Sequence, residues 1–113
     1  MIKPENIAVD YVNAVYAGDL ETFKTLTLPE SYTLEASEDY YLFVTGKSTA
    51  RMLTAIQRKG VNEIVIEKVK IYPSDGKVTI KVRFNNEQVK RVSLPLIKVN
   101  ERWYVEATHW RYW

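Results

Sequence analysis

The chain contains no cysteine and a single histidine, His109. The first absence excludes disulfides, thiol nucleophiles and thiolate metal sites together. A metal would need carboxylates gathered around His109, and no spacing gathers them, so neither a metal nor a cofactor is expected. Four glycines and four prolines among 113 residues leave no room for a low-complexity tract. No apolar run approaches the roughly 18 residues that cross a bilayer. The opening Met1-Ile2-Lys3-Pro4-Glu5-Asn6 has no apolar signal segment, and a cytoplasmic location is the expectation. Gly46-Lys47-Ser48 imitates the end of a phosphate-binding loop, but Tyr41 stands where the first glycine of that motif belongs. No catalytic, metal or nucleotide motif is present in the usual spacing.

What is there describes one ordinary domain spanning 1–113. Hydrophobic residues make up 46% and charged ones 27%, usage typical of a chain this size that buries roughly two-thirds of its unfolded surface. The net charge of +2 is unevenly placed: residues 1–57 sum to −4 and residues 58–113 to +6. A basic half can mark a nucleic-acid surface, although lysines also keep exposed strands from aggregating.

That basic half predicts a sheet. Val78, Ile80, Val82 and Phe84 alternate with Thr79, Lys81 and Arg83, the period of a strand with one buried face. Turn residues bracket it at Pro73-Ser74-Asp75-Gly76, Asn85-Asn86-Glu87 and Asn100-Glu101, so Val61 to Trp110 reads as four consecutive antiparallel strands. Pairing Ile71 with Val78 and Val69 with Ile80 puts all four on one face, and a one-residue bulge near Glu67-Lys68 then sets Ile66 against Val82. Val92, Leu94 and Leu96 are expected opposite Val82, Ile80 and Val78. Val105, Ala107 and His109 are expected opposite Leu96, Leu94 and Val92. Pro95 needs a place where the ladder lacks an N–H.

The acidic half predicts helices. Pro4 suits a first turn, Glu5 complements the helix dipole, and Ile7, Ala8, Tyr11, Val12, Ala14 and Val15 form an apolar stripe ending at Gly18. Asp19 is placed to cap a short second helix with Leu20, Phe23 and Leu26 inward. Residues 32–44, rich in Tyr, Leu, Phe and Val, predict two short strands, and Ser48 to Lys59 a third helix stopped by Gly60.

A helix, Gly18-Asp19, a short helix, a third helix and a bent meander ending in Arg102-Trp103-Tyr104-Val105 together resemble the nuclear transport factor 2-like superfamily, with small lumazine-binding-like domains the most similar branch. The resemblance implies an α+β cone: three N-terminal helices packed on a curved, mainly antiparallel sheet, a pocket at the open end, and frequent homodimers. It covers both enzymes (isomerases, dehydratases, hydrolases) and non-enzymatic binders. The expected pocket residues are Tyr11, Val82, Trp103, Val105 and His109. Ile97, Val99, Tyr104 and Trp110 turn to the convex face, where exposed aromatics suggest a homodimer interface. The expected function is non-enzymatic binding of a small apolar ligand or a protein. One alternative is an enzyme using His109 as base, near Tyr11 or Tyr16 and the carboxylates Asp10, Glu35 or Asp39. Another is a single-stranded nucleic-acid binder using Lys68, Lys70, Lys81, Arg83 and Arg91.

Overall fold

A computed structural model describes residues 3–28 and 38–106, with backbone alone for 38–45, 47 and 48. Helix α1 spans Pro4–Ala17 and α2 Leu20–Leu26, and α3 covers Glu38–Gln57. They are followed by β1 (Val61–Ile71), β2 (Asp75–Phe84), β3 (Val89–Val99) and β4 (Arg102–Val105). The strands pair antiparallel in the order β1-β2-β3-β4, and the architecture is α+β.

Helix α1 forms where its pattern demands. Pro4 sits in the first turn with Glu5 beside it, and Ile7, Ala8, Tyr11, Val12, Ala14, Val15 and Tyr16 are buried. It stops at Gly18, whose φ of 74° is left-handed. The amide of Gly18 donates to Val15 O and that of Asp19 to Ala14 O at 2.9 Å, which satisfies two end carbonyls. Asp19 then starts α2: its carboxylate accepts from the Thr22 amide at 3.2 Å and the Thr22 hydroxyl at 2.6 Å. Those two bonds hold the Asp19 carboxyl below the usual carboxylate range. After α2 the chain runs beside β4, where Leu28 N–H donates to Val105 O at 3.0 Å and covers that sheet edge.

The expected strands at 40–44 are not there. Tyr40 to Val44 lie inside α3, which begins ten residues before the predicted Ser48 and ends at Gln57 rather than Lys59. Aromatic and β-branched residues lose only tenths of a kcal/mol to about 0.7 in a helix, so propensity yields easily to tertiary packing. Gly46 is the one strong breaker in the run, and it costs only about 1 kcal/mol relative to alanine. The acids Glu38 and Asp39, which open the helix, were the overlooked signal. The expected strand at 32–37 falls outside the described residues.

In the sheet, the faces agree with the alternation while two registers are corrected by two residues each. Val69 pairs with Val78 and Ile71 with Gly76, rather than Val69 with Ile80 and Ile71 with Val78; Ile64 faces Val82 and Val61 faces Phe84. The turn is tighter than expected because β2 starts at Asp75, with the Tyr72 amide donating to Asp75 O at 2.8 Å. Gly76 permits this register, since a Cβ there would meet Ile71 Cδ1 at 2.6 Å and Lys70 O at 2.8 Å. Likewise Val78 meets Leu94, Ile80 meets Val92 and Val82 meets Lys90. A two-residue slip preserves every face because the side-chain period is two. The expected bulge lies between Ile66 and Lys68, and a second falls between Val61 and Glu63.

The last hairpin keeps its expected register, Leu96 opposite Val105, over Asn100 and Glu101, both at positive φ. Pro95 pairs with Lys77, and its carbonyl accepts from Glu106 N–H at 3.0 Å. A residue's N and O point to the same neighbour, so the missing N–H points past the end of β4, where no ladder bond is required.

The core lies between α1 and the inner sheet face: Tyr11, Val12, Val15, Phe23, Val78, Ile80, Val82, Phe84, Val92, Leu94, Leu96 and Val105 are at most 2% exposed. Coverage stops along β1. Ile66, Val69 and Ile71 share the inner face with the core yet are 37%, 43% and 38% exposed.

Candidate functional site

Two connections meet where α3 leads into β1. Helix α3 ends through Arg58-Lys59-Gly60, with Lys59 at φ 65° and Gly60 at φ 93°, and the Gly60 amide donates to Ala55 O at 2.7 Å. The β2–β3 turn clamps this bend: Asn85 Nδ2 donates to Lys59 O at 2.8 Å and Asn85 N–H to Gly60 O at 2.9 Å. Between this bend and the C-terminal half of α1 lies a cleft of about 470 Å³. Ala17, Ala55, Ile56 and Val61 supply apolar walls, and Asn13, Tyr16 and Lys59 supply polar groups. The volume suits a small molecule, and apolar walls with few polar groups are the usual make-up of a ligand pocket.

Tyr16 anchors the inner wall. Its ring meets Phe84 edge-on at 5.4 Å, and the Arg58 guanidinium lies 4.8 Å over the other partner, the Phe84 ring. Burial pushes the Tyr16 phenol above its ordinary value of 10.0, against the opposing pull of Arg51 and Arg58. The folded state therefore keeps this proton longer than the unfolded chain. Stability from Tyr16 is complete below the ordinary value and is lost as pH rises through the raised one. In that window the loss reaches up to about 1.4 kcal/mol per pH unit. Urea unfolding of the wild type and Tyr16→Phe between pH 9 and 11 should show a shallower alkaline decline in the variant; equal slopes would remove Tyr16 as the cause.

Further hollows lie among the described residues. One of about 530 Å³ lies on the outer sheet face at the β1–β2 turn. A smaller one of about 230 Å³ adjoins α1 and α2, with Asp10, Asn13 and Asp19 on its rim. Among the described residues, no three of His, Cys, Asp and Glu converge on a metal-sized site, and no helix is long and apolar enough to cross a membrane.

The residues expected to form a pocket are differently placed. Tyr11, Val82, Trp103 and Val105 are packed in the core at 5% exposure or less, and none lines the three hollows above. Their neighbour in that expectation, His109, lies outside the described residues, as does Trp110. Of the expected interface residues, Ile97 sits opposite Tyr104 and Val99 opposite Arg102, all but Arg102 half-buried. The Arg102 guanidinium lies 5.1 Å from the Tyr104 ring. Glu35 is outside the described residues, and Asp39 has only its backbone described. Sequence reading missed Asn13, Ile56, Lys59 and Val61; the one usable sign was Lys59-Gly60, a helix stop leading straight into a strand.

A family model described as a domain of unknown function, DUF4878, matches residues 3–106. The chain belongs to that family. The fold of this DUF4878 domain is nuclear transport factor 2-like. It superimposes with a TM-score of 0.80 on a crystal structure from Campylobacter jejuni, provisionally named an NTF2-like transpeptidase. The two are 25% identical, and the match covers 93% of this chain and 98% of the other. No curated protein matches the chain.

Proposed function

We propose that this domain is a non-catalytic binding module that takes a small, largely apolar ligand into the α1–α3–β1 cleft. The observation that carries the reading is the cleft itself, whose apolar walls surround the Tyr16 phenol and the Asn13 amide. These groups, carried by α1, can orient a bound molecule by hydrogen bonding, and the clamped Arg58-Lys59-Gly60 bend fixes the facing wall.

The name of the Campylobacter jejuni protein raises acyl transfer as a competing idea. Acyl transfer needs a nucleophile with a base beside it. Ser93, on the outer face, shares a 3.0 Å hydrogen bond with Thr79, an arrangement that ties two strands together. The transpeptidase name belongs to the Campylobacter jejuni protein.

A neutral fluorescent probe, N-phenyl-1-naphthylamine, tests the cleft without engaging surface charge. Saturable binding is expected, and Ile56→Asp should weaken it at least about tenfold by placing a charge in the apolar wall. Ile56 is 65% exposed, so this change should leave the circular dichroism spectrum intact. Equal binding by the wild type and a folded Ile56→Asp would defeat the reading, as would no saturable binding.

A further inference from the structure

We infer that the outer face of the sheet carries a second ligand site, a groove at the β1–β2 turn that takes a small anion attached to a flat ring, such as an aryl phosphate or aryl carboxylate. The groove holds about 530 Å³ and is lined by Tyr72, Asp75, Lys77, Arg91, Ser93 and Pro95. It lies across the sheet from the core and shares no lining residue with the α1–α3–β1 cleft.

The strand register supplies the argument from charge. Lys77 stands opposite Lys70 on one side and Pro95 on the other, and Lys81 stands opposite Arg91. Like charges directly opposed on one sheet face work against folding. Glu67 relieves one of these pairs, bonding Arg91 Nε at 2.8 Å across the intervening strand. Among the described residues Lys70 and Lys77 meet no carboxylate within ion-pair distance. Two strands thus place Lys70 and Lys77 at opposed positions of the outer face, Lys77 in the groove itself, and among the described residues no carboxylate pairs with either. An anion seated there would remove the repulsion, which is free energy available to binding alone.

The rest of the lining selects the body that carries the anion. Tyr72 is a large aromatic left 58% exposed beside the groove, and Pro95 offers a compact apolar ring face on β3. Such faces favour a planar group, with stacking energy added to the charge contact. Asp75, on the same rim, disfavours a densely charged polyanion and favours a ligand with one anionic end.

The groove can be probed by titrating the 113-residue, 15N-labelled chain with phenyl phosphate, inorganic phosphate and benzyl alcohol. Phenyl phosphate should shift the amides of Tyr72, Gly76, Lys77 and Ser93 saturably, with inorganic phosphate weaker and benzyl alcohol weaker still. Lys77→Glu should raise the apparent Kd at least about tenfold, and Tyr72→Ala roughly fivefold. Both side chains are exposed, so both variants should keep the wild-type spectrum elsewhere. Ile56→Asp should leave phenyl phosphate binding unchanged, which separates this site from the cleft. Equal responses to phenyl phosphate and inorganic phosphate would overturn the proposal, as would shifts spread over all the lysines or retention of affinity in Lys77→Glu. A mixed-sequence single-stranded DNA that outcompetes phenyl phosphate at the same amides would also overturn it, in favour of a polyanion.

Discussion

Phe84→Ala should lower unfolding stability by about 3–5 kcal/mol, the range for truncating a fully buried aromatic. Phe84 is 0% exposed and closes the inner face of β2 opposite Val61. Its ring receives the Tyr16 edge at 5.4 Å and the Arg58 guanidinium at 4.8 Å. Truncation removes the transfer energy of the ring, leaves a void, and strips both partners of a contact. Domains of this size have only about 5–15 kcal/mol in total, so a large share of the stability goes at once. Because Tyr16 and Val61 also line the cleft, the same variant should bind N-phenyl-1-naphthylamine more weakly at temperatures where it remains folded. Urea unfolding followed by tryptophan fluorescence measures the first effect, and a loss below about 1 kcal/mol would mean that the site collapses around the void.

Gly18→Val should cost about 2–5 kcal/mol, from two separable causes. The φ of 74° at Gly18 is left-handed, a conformation that costs an L-residue about 1–2 kcal/mol, with a β-branched side chain fitting worst. A Cβ at this position would also overlap Met52 Sδ, and forced overpacking adds roughly 1–3 kcal/mol. The Met52 side chain is flexible, so part of the second term can be recovered. A double-mutant cycle with Met52→Ala separates the terms: the pair should restore the packing share and leave the backbone share in place. If Met52→Ala rescued nothing, α1 and α3 would not approach at Gly18 as described. If it rescued everything, the αL requirement would be wrong.

Much of the architecture was legible in single residues because those residues act locally. Pro4, Gly18 and Asp19 set the ends of α1 and α2 through φ preferences and hydrogen bonds that reach no further than a turn. The alternation in β2 and β3 named the buried face correctly even where the register was two residues off, since a shift of two restores each side chain to its face. The Asn100-Glu101 turn, with positive φ at both positions, determined its own hairpin. Helix α3 was not legible. Tyr40 to Val44 prefer a strand by intrinsic propensity, but the preference is a fraction of a kcal/mol per residue, small enough for the rest of a twenty-residue helix to override.

The candidate site was the least legible part, for a physical reason. Its lining comes from α1, the end of α3 and the start of β1, segments brought together by a bend whose geometry depends on Asn85, some 26 residues from Lys59. No local pattern encodes that meeting. Tyr11, Val82, Trp103 and Val105 were singled out because alternation and helical spacing identify inward residues, and inward is the limit of what periodicity conveys. Whether an inward side chain touches a cavity or another side chain depends on how closely the opposing layer approaches, and here α1 packs directly on the sheet. The outer groove follows the same rule. The lysines were visible in sequence, but the opposition of Lys77 to Lys70, and of Lys81 to Arg91, exists only once the register places them side by side.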